Sequence, residues 1–589
     1  MTATSARRWH IHPHDSDSIA SFARSINVPP LVAVLLSVRG IDHPDAARIF
    51  LDAPLKGMHD PCLLPGAEEA ADRILHAIQH KKNIVIYGDY DADGVCGTSL
   101  LWHALRLAGS DVRYYVPHRL EEGYGLNADA LRKLAEDKTD LIITVDCGIA
   151  SVREAELARE LGLELIVTDH HNFASELPQA STLVHPRLPN STYPFPEPSG
   201  SGVAFKLAWA LGQRMSTTRK VSDAMREFLL GAMALAALGT VADVVPLVDE
   251  NRILVRHGLR SLKSHSNPGL QALLKITEIS QKSSLTSEDI GFTLAPRINA
   301  VGRLGQAKLA VELFTSASAQ RAKQLAEHLH EQNKLRQQVE RRISQQARKL
   351  AEPYLENNDP ALVLCSADWH AGVIGIVASR LVDRCQRPVI LISTASGTLA
   401  QGSGRSVEGL DLHASLHACH DLLETYGGHS AAAGLKLKPE NIASFREQFC
   451  ADVQQHLSSN PVESQLNIDA EIPLNLLTFQ AVKEMESLAP FGAGNPRPLL
   501  AASDVELIAP PKVIGKSGQH LSLQLSQNNA KLRAVAFGKA DQVESLRNVW
   551  TQGSCPTRLS IAFSPLINTF AGRTQVEIQV KDWHLESNN

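Results

Sequence analysis

Cysteine is scarce in this sequence, which has only eight among 589 residues and no C-x-x-C pair. A chain of this length with so few cysteines is not a disulfide-stapled scaffold, and a zinc site built from cysteine pairs is not expected. The cysteines are interpreted as reduced, mostly buried thiols in a cytoplasmic protein. The first fifteen residues have no apolar core after their basic residues, so a secretory signal is not expected either.

Excess positive charge and long hydrophobic runs are also lacking. The chain has 58 Lys and Arg against 63 Asp and Glu, a net charge of −5, so a polyanionic ligand would need a local basic groove. The most apolar stretch, residues 228–245, is interrupted by Gly239, Thr240 and Asp243. This composition predicts a buried core helix rather than a membrane span.

The length of the chain predicts three or four domains, because a single hydrophobic core does not grow to this size. Between residues 65 and 250, short apolar runs alternate with amphipathic helices, which is typical of an α/β fold with a parallel sheet. A stretch free of Gly and Pro predicts a long helix, and the β-α-β pattern then returns. Period-two alternation near the end predicts antiparallel strands in a small sheet or barrel. The predicted division is an extension (1–60), an α/β domain (61–315), a connecting helix (316–354), a second α/β domain (355–458) and a β domain (459–589).

The first segment with chemical information is YGDYDADGVCGTS, in which Asp89, Asp91 and Asp93 follow an apolar strand. Three ionised carboxylates so close together would repel one another, so a cation is expected between them. Hard oxygen ligands favour Mg²⁺ or Mn²⁺. The alternative is a polar loop in which Asp91 or Asp93 caps the next helix. An EF-hand matches less well, because the glutamate that ends such a loop is missing.

Three further segments end in comparable side chains. Carboxylates mixed with imidazole fit Mn²⁺ better than Ca²⁺, although a histidine pair in a loop can equally be structural. Open α/β sheets place their sites at the carboxyl ends of the strands, so acidic clusters at the ends of several elements predict one common site. The side chains are Asp146 in TVDCG, Asp169, His170 and His171 in VTDHH, and Asp243 in LGTVADVVPL.

Taken in order, the motifs DYDADG, VDCG, DHH and TVADVVPL resemble the four metal-binding motifs of the DHH phosphoesterase family. The later motifs DWHAGVIGIVASRL, GSGRS and GGHSAAAG resemble the associated DHHA1-type domain. With APRINAVGRLG, LAPFGAGNPRP and a terminal OB-like segment, the resemblance covers residues 65–589. It implies a parallel-sheet DHH catalytic lobe, a long helix, a second α/β lobe of DHHA1 type and a C-terminal OB-like β-barrel.

The resemblance also implies roles for the acidic and imidazole side chains. Two ions, Mn²⁺ or Mg²⁺, would be held by five ligands, with Asp89 beside them as a bridging or supporting carboxylate. His171 would lie near the scissile phosphate, and Asp169 would orient a histidine. The five expected ligands are Asp91, Asp93, Asp146, His170 and Asp243.

The glycine-rich motifs of the second α/β domain predict a site for an anion. Glycines permit close approach of a backbone, and hydroxyl and guanidinium groups donate to phosphate oxygens. Such segments are also common as plain turns, and a lone arginine often forms a surface ion pair. In the family, groups of this kind hold a 5′ end. The candidates are Ser403, Gly404, Arg405 and Ser406 in GSGRS, Gly428 and His429 in GGHSAAAG, and the separate residues Arg119 and Arg303.

The activity implied by the resemblance is metal-dependent 5′→3′ hydrolysis of single-stranded DNA to 5′-mononucleotides in recombination and repair. The expected partners are single-stranded DNA with a 5′ end, a single-stranded-DNA-binding protein and a helicase of the RecQ type, with no membrane and a monomeric enzyme. The alternatives are a phosphodiesterase of short oligonucleotides or cyclic dinucleotides, a pyrophosphatase of a small substrate, and a non-catalytic replication scaffold. Aromatic side chains of the β domain could stack on bases or fill its core. They are Phe537, Trp550, Phe570 and Trp583.

Overall fold

The computed structural model describes residues 7–119, 121–173, 176–216, 220–316, 318–395, 397–459, 465–515, 518–552, 557–570 and 573–586. Separate hydrophobic cores lie on the two faces of the first sheet, in the second α/β domain and inside the C-terminal barrel. None of the seven described cysteines forms a disulfide. The expected α/β architecture with a terminal barrel is confirmed.

The N-terminal extension packs on the C-terminal domain, a contact that the sequence analysis does not predict. Its strand pairs in parallel with residues 465–468, and its apolar helices share a core with the barrel. The two ends of the chain therefore belong to one structural unit. The elements are β1 (Arg8–Ile11), α1 (Ser16–Ile26), α2 (Pro30–Val38) and α3 (Pro44–Asp52).

The first α/β domain is built on a five-stranded sheet with the order β3-β2-β4-β5-β6, and all its neighbouring strands are parallel. The mostly apolar runs IVIYG and LIITV are buried throughout because helices cover both faces of the sheet. The elements are α4 (Ala67–Gln79), β2 (Ile84–Gly88), α5 (Ala92–Leu107), β3 (Arg113–Tyr115), α6 (Ala128–Glu136), β4 (Leu141–Val145), α7 (Val152–Glu160), β5 (Glu164–Thr168) and β6 (Thr182–Val184).

A helical layer completes this domain. Its helix over residues 223–242 is the one described helix that is long and apolar enough to cross a membrane, and 61% of its most apolar window is buried against the rest of the protein. It is thus placed as a core helix. The elements are α8 (Gly200–Arg214), α9 (Asp223–Ala242), α10 (Asp249–Ser264), α11 (Pro268–Ile276), α12 (Ser287–Asp289), a π-helix (Ile290–Leu294), α13 (Ala295–Arg303) and α14 (Ala307–Thr315).

A helix of 38 residues connects the two α/β domains and spans about 57 Å at 1.5 Å per residue. The sheet of the second domain has the order β10-β11-β9-β8-β7, and only β7 and β8 are parallel. Residues 402–405 of the GSGRS motif lie in strand β9, and Ser406 directly follows it. The elements are α15 (Ala319–Glu356), β7 (Leu362–Ser366), α16 (Ala371–Cys385), β8 (Val389–Ser393), β9 (Ala400–Arg405), α17 (Leu412–His417), β10 (Thr425–Gly428), β11 (Ala432–Leu437) and α18 (Ile442–Ser459).

The C-terminal domain is a closed barrel in the order β14-β18-β19-β17-β16, and a pairing of β16 with β14 completes the circle. Five strands closed in this way are typical of an OB fold. The elements are β12 (Gln465–Ile468), β13 (Ala470–Glu471), α19 (Phe479–Met485), β14 (Leu500–Leu507), β15 (Lys512–Ile514), β16 (His520–Gln527), β17 (Ala530–Ala536), α20 (Val543–Gln552), β18 (Arg558–Phe570) and β19 (Arg573–Leu585).

The aromatic side chains of the barrel divide between core and surface. Trp550 and Trp583 pack against the barrel core. Phe537 is 55% exposed and lies edge-on to His520, with ring centroids 5.0 Å apart. The side chain of Phe570 lies outside the described part of the chain. Of the three described candidates, Phe537 is the one whose ring is free to stack on a base.

Candidate metal centre and anion pocket

Carboxylate and imidazole side chains from four segments meet at the carboxyl edge of the first sheet. Their ligand atoms form three groups, and within each group the atoms lie within 4.8 Å of one another. Asp146 and His170 each belong to two groups, so the groups adjoin and form one centre. The groups are Asp146 with His170 and His171, Asp93 with His170 and Asp243, and Asp89 with Asp91 and Asp146.

Asp91 is held by the helix that it begins. As the N-cap of α5, it accepts hydrogen bonds through Oδ1 from the backbone N–H groups of Asp93 (2.8 Å) and Gly94 (3.0 Å). The capping alternative is therefore realised for Asp91, but it does not exclude a second role. The carboxylate also lies in the group with Asp89 and Asp146, and a carboxylate has acceptor sites to spare beyond one cap.

Asp93 is held by the N-terminus of a second helix, α8. The backbone N–H of Gly200 donates to Oδ2 at 2.6 Å, and that of Ser201 donates to Oδ1 at 3.0 Å. A helix N-terminus carries partial positive charge, so it stabilises a buried carboxylate. The segment SGSGV, which the sequence analysis does not single out, thus fixes a predicted metal ligand.

The close approach of helix α9 to Asp93 gives a testable prediction. A Cβ at Gly239 would lie 2.2 Å from Ser201 Oγ and 2.3 Å from Asp93 Oδ1, so Gly239→Ala is expected to displace Asp93 and weaken Mn²⁺ binding about tenfold or more. Isothermal titration with Mn²⁺ measures this loss. Gly231→Ala, on the same helix, meets only the His265 side chain at 3.3 Å and serves as the control. Equal Mn²⁺ affinity in the two variants would contradict the packing argument.

The nearby cations compensate only part of the charge of the buried carboxylates in the centre. Burial, followed by repulsion from the neighbouring aspartates, raises the pKa of Asp89 and Asp146 well above the usual value. The same causes raise the pKa of Asp243 to about 9. Asp89 Oδ1, Asp146 Oδ1 and His170 Nε2 are buried without a hydrogen-bond partner among the described residues. Divalent cations would satisfy these atoms and remove the repulsion, so the donor set of oxygen and imidazole nitrogen fits Mn²⁺ or Mg²⁺.

These pKa shifts predict how the stability of the metal-free protein depends on pH. The folded-state pKa of Asp243 is about 9 against the ordinary 3.8, so its contribution to stability is complete below the ordinary value and is lost as pH rises through 9. In EDTA, the melting temperature is expected to fall between pH 5 and pH 9, and saturating Mg²⁺ is expected to reduce this fall. Calorimetry at several pH values checks both. A melting temperature that rises with pH in EDTA would contradict the prediction.

The two adjacent histidines have opposite electrostatic environments. Burial, then the charge of His171, lowers the pKa of His170 to about 3. Its neutral Nε2 lies 3.1 Å from Asp146 Oδ1 and 3.5 Å from Asp243 Oδ2, as suits a metal ligand. For His171, burial lowers the pKa, but the hydrogen bond from Nδ1 to Asp169 Oδ1 (2.7 Å) and the charge of Asp169 outweigh it and raise the pKa to about 9. His171 is therefore a cation at neutral pH.

Three arginines from separate motifs, Arg119, Arg303 and Arg405, lie close enough together to repel one another. Burial, then repulsion from Arg119, lowers the pKa of Arg303 to about 10, and Arg405 also contributes. Burial and Arg119 likewise lower the pKa of Arg405. Arg303 donates to the carbonyl of Gly372 in the second domain (3.1 Å), and the Arg119 guanidinium lies over the Tyr90 ring. Cations that repel one another in a partly buried cleft form a receptive site for an anion.

The remaining predicted anion ligands divide into two sets. Arg405 donates to Ser403 Oγ (3.1 Å) and to the carbonyl of Gly404 (2.7 Å), so these residues belong to the arginine cluster. The Ser406 hydroxyl instead donates to a backbone carbonyl of the following loop. The structure therefore brings the strand residues to the pocket but gives Ser406 a local role. Gly428 and His429 lie exposed at the turn between β10 and β11.

Two residues beside the centre, Tyr124 and Asn299, are not predicted from the sequence. The Tyr124 hydroxyl donates to the backbone carbonyl of Asp146 (3.1 Å) and lies 3.0 Å from His171 Nδ1. Asn299 accepts through Oδ1 from the backbone N–H of Ala92 (2.7 Å). The motif APRINAVGRLG marks the segment of Asn299, but only the tertiary fold shows which group its side chain contacts.

A parallel sheet with this acidic edge, followed by a second domain that presents arginines, defines a phosphoesterase of the DHH class. The model of the DHH family N-terminal domain matches residues 83–237, and that of the DHHA1 domain matches residues 358–455. The model of the RecJ OB domain matches residues 468–582, which include four of the five strands of the closed barrel and most of the fifth.

The chain belongs to the RecJ family. It is 38% identical over 579 residues to the single-stranded-DNA-specific exonuclease RecJ of Bacillus subtilis, covering 98% of this chain and 71% of that protein. The RecJ of Thermus thermophilus is 34% identical over 576 residues, covering 95% and 78%. A crystal structure of Thermus thermophilus RecJ in complex with Mn²⁺ matches with a TM-score of 0.82 at 30% identity, covering 98% and 80%.

Proposed function

We propose that this protein is a metal-dependent 5′→3′ exonuclease that hydrolyses single-stranded DNA to 5′-mononucleotides in recombination and repair. The observation that carries the proposal is the cluster of buried aspartates and His170 with unsatisfied ligand atoms, beside a group of arginines that repel one another. Curated relatives of similar domain content bear the name single-stranded-DNA-specific exonuclease.

In this proposal the aspartates and His170 hold two divalent ions. The expected ligands are Asp91, Asp93, Asp146, His170 and Asp243, and Asp89 adjoins them within the group that includes Asp91 and Asp146. Bound there, Mn²⁺ or Mg²⁺ would activate water and stabilise the attacking and leaving oxygens of a phosphodiester. The residues themselves fix the positions of the ligand atoms, because the N-termini of α5 and α8 hold Asp91 and Asp93.

His171 is proposed to act on the scissile phosphate. It is held by Asp169, whose own pKa falls to about 2 because the hydrogen bond and charge of His171 outweigh the effect of burial. The resulting imidazolium can donate to a phosphate oxygen and offset the charge that develops during attack. Asp169 also accepts from the backbone N–H of Ile149 (3.0 Å), which fixes the carboxylate that orients the histidine.

The arginine cluster is proposed to bind the 5′-terminal phosphate and so to set polarity. Water adds to the phosphorus that follows the end nucleotide, the bond to its 3′ oxygen breaks, and that oxygen leaves with a proton as a 3′ hydroxyl. The shortened strand keeps the phosphate as its new 5′ end, so each turnover regenerates the group that Arg303 and Arg405 would recognise. The distance between cluster and metal centre then fixes the length of the product.

In this proposal each domain has a separate role in hydrolysis or strand binding. Residues 61–315 would carry the hydrolytic centre, residues 355–458 would present Arg405, and the connecting helix at 316–354 would fix the distance between them. The barrel at 459–589, packed against the 1–60 extension, would track the strand through charge and stacking, with Phe537 as one exposed ring. Single strands enter narrow clefts that exclude duplexes, which fits a nuclease for single strands.

Digestion of an end-labelled strand tests the proposal. A single-stranded oligonucleotide labelled at its 5′ end should release labelled mononucleotide at once in Mn²⁺, whereas a 3′ label should remain in shortening strands. EDTA and a fully duplex substrate should give no products. Release from the 3′ end first would overturn the polarity. Cleavage restricted to dinucleotides or cyclic dinucleotides would favour the small-substrate phosphodiesterase, and metal-independent strand binding without products would favour the scaffold.

The finer expectations on partners belong to the same proposal. A single-stranded-DNA-binding protein and a helicase of the RecQ type would supply the strand to a monomeric, cytoplasmic enzyme that needs no membrane. Single-stranded DNA as the substrate supports these expectations, because an enzyme limited to single strands requires another activity to open a duplex. Sedimentation of the full chain, alone and with each protein, measures both the oligomeric state and the contacts.

A further inference from the structure

The first turn of helix α5 needs an acceptor from outside its own sequence. Helices leave their first backbone N–H groups without partners inside the helix. Asp91 Oδ1 accepts from the N–H groups of Asp93 and Gly94, and the Asp91 carbonyl accepts from Val95. The N–H of Ala92, a residue only 1% exposed, donates to Asn299 Oδ1 at 2.7 Å.

The Ala92 N–H belongs to the peptide bond between Asp91 and Ala92, within the DYDADG segment of the metal centre. Its peptide plane includes the carbonyl of Asp91, and the next residue is Asp93, so the direction of this N–H constrains both carboxylates. A buried N–H without an acceptor is unfavourable, and the loop can avoid this only by rotating the peptide toward another acceptor. Such a rotation would move Asp91 relative to Asp89 and Asp146.

Asn299 lies on helix α13, which packs closely against the loop at Tyr90. A Cβ at Gly302 would lie 2.2 Å from the Tyr90 carbonyl oxygen, so α13 approaches the loop backbone as closely as glycine allows. One turn beyond Asn299, Arg303 donates to Gly372 of the second domain (3.1 Å). Helix α13 therefore touches the metal loop and the second domain at once.

The chemistry of the amide group fits this position. A backbone N–H can only donate, so the atom of Asn299 that faces it is the carbonyl oxygen. Asparagine supplies this oxygen without adding a negative charge to a centre that already holds Asp89, Asp91 and Asp93. Aspartate could accept the same hydrogen bond, whereas alanine could not, and this difference allows the acceptor to be tested separately from the shape of the side chain.

We infer that Asn299 is a positioning residue, which holds the Ala92 peptide so that Asp91 and Asp93 face the metal ions. The inference rests on the proposed function, because it takes these aspartates as metal ligands. It assigns to the APRINAVGRLG motif a structural task in the hydrolytic centre. Asn299 acts through the backbone, and no contact with the DNA is required.

Mn²⁺ titration of the full-length protein tests the inference. Asn299→Ala is expected to weaken Mn²⁺ binding about tenfold, the lower end of the 10–100-fold range for residues that orient metal ligands. Its hydrolysis should recover at high Mn²⁺, and its KM for the strand should stay within about twofold of the parent. Asn299→Asp should bind Mn²⁺ more tightly than Asn299→Ala, because the acceptor is restored.

A matched control separates positioning from general destabilisation. Asn267 caps α11 through hydrogen bonds to Gly269 and Leu270, so Asn267→Ala removes a comparable asparagine contact in the same domain. Its Mn²⁺ affinity should equal that of the parent even if it melts earlier. Should Asn299→Ala not fold, Asn299→Gln, which displaces the acceptor by one methylene, carries the same expectation.

The outcomes distinguish this inference from the proposed function. Parental Mn²⁺ affinity in Asn299→Ala, with a parent protein that binds Mn²⁺ and degrades single strands, would overturn the inference and leave the function standing. Equal losses in Asn299→Ala and Asn299→Asp would also overturn it, since the acceptor would then be irrelevant. A parent that neither binds Mn²⁺ nor hydrolyses DNA would overturn both.

Discussion

Replacing Asp146 with asparagine is expected to lower hydrolysis of single-stranded DNA by roughly 10⁴-fold or more, the scale of loss when one member of a catalytic unit is removed. Asp146 is the carboxylate shared by two of the three ligand groups, so its loss affects both halves of the centre. Asparagine keeps the shape of the side chain but removes the charge that would hold the cations. Binding of the strand in EDTA should change little, because the arginine cluster and the barrel are untouched.

The same substitution is expected to stabilise the metal-free protein. Asp146 is 2% exposed, its Oδ1 has no hydrogen-bond partner among the described residues, and neighbouring aspartates repel it. Replacing this carboxylate with a neutral amide removes the unfavourable burial and repulsion. A gain of about 1 kcal/mol in the free energy of unfolding corresponds to a rise of roughly 2–4 °C in melting temperature for a domain of 150–250 residues. Melting in EDTA and in Mn²⁺, beside the parent, measures both effects.

The combination of lost activity and gained metal-free stability is specific to a metal ligand. A substitution that only impaired folding would not raise stability, and a substitution outside the centre would leave the activity close to that of the parent. Asp140, which accepts from the backbone N–H of Asn83 (2.7 Å) just before strand β4, is the control, because Asp140→Asn should reduce stability without a large effect on turnover. Parental activity in Asp146→Asn would contradict the metal assignment.

The carboxyl edge of the first sheet could be foreseen from local patterns. Strands β2, β4 and β5 are parallel neighbours, so Asp89, Asp146 and Asp169, which directly follow them, had to lie at one edge. Asp243 is different. It ends a helix, and no local rule says which part of the sheet that helix reaches, so its inclusion in the common site rested on its position at the end of an element and on the family resemblance.

Contacts between distant segments were beyond local reasoning. Strand β1 pairs with β12 in a register that joins Arg8 to Gln465, and no periodicity in either segment specifies the other. The placement of most of the GSGRS motif inside a strand could not be predicted either, because glycine is rare inside strands. At position 402 a glycine is required, because a Cβ there would lie 2.8 Å from the Leu435 side chain on the neighbouring strand.

Removing the guanidinium of Arg405 is expected to abolish the preference for a phosphorylated 5′ end. Hydrogen bonds to a charged partner contribute about 1.5–3 kcal/mol, so kcat/KM on a 5′-phosphorylated strand should fall about 10–100-fold in Arg405→Ala. On a strand with a 5′ hydroxyl the loss should be small, because the group that Arg405 would bind is already missing. Parallel assays on the two strands, which differ only in this phosphate, measure the preference.

A control variant distinguishes lost recognition of the 5′ phosphate from a general loss of electrostatic attraction to DNA. Arg132 is an exposed arginine paired with Asp129, and Arg132→Ala removes the same charge from the surface, so it should change both substrates equally and by less than about twofold. Arg405→Lys keeps the charge but loses the planar fork of donors, and it should restore only part of the preference. If Arg405→Ala slows both strands to the same extent, the arginine cluster binds the strand elsewhere along its backbone, and the polarity of the enzyme must have another origin.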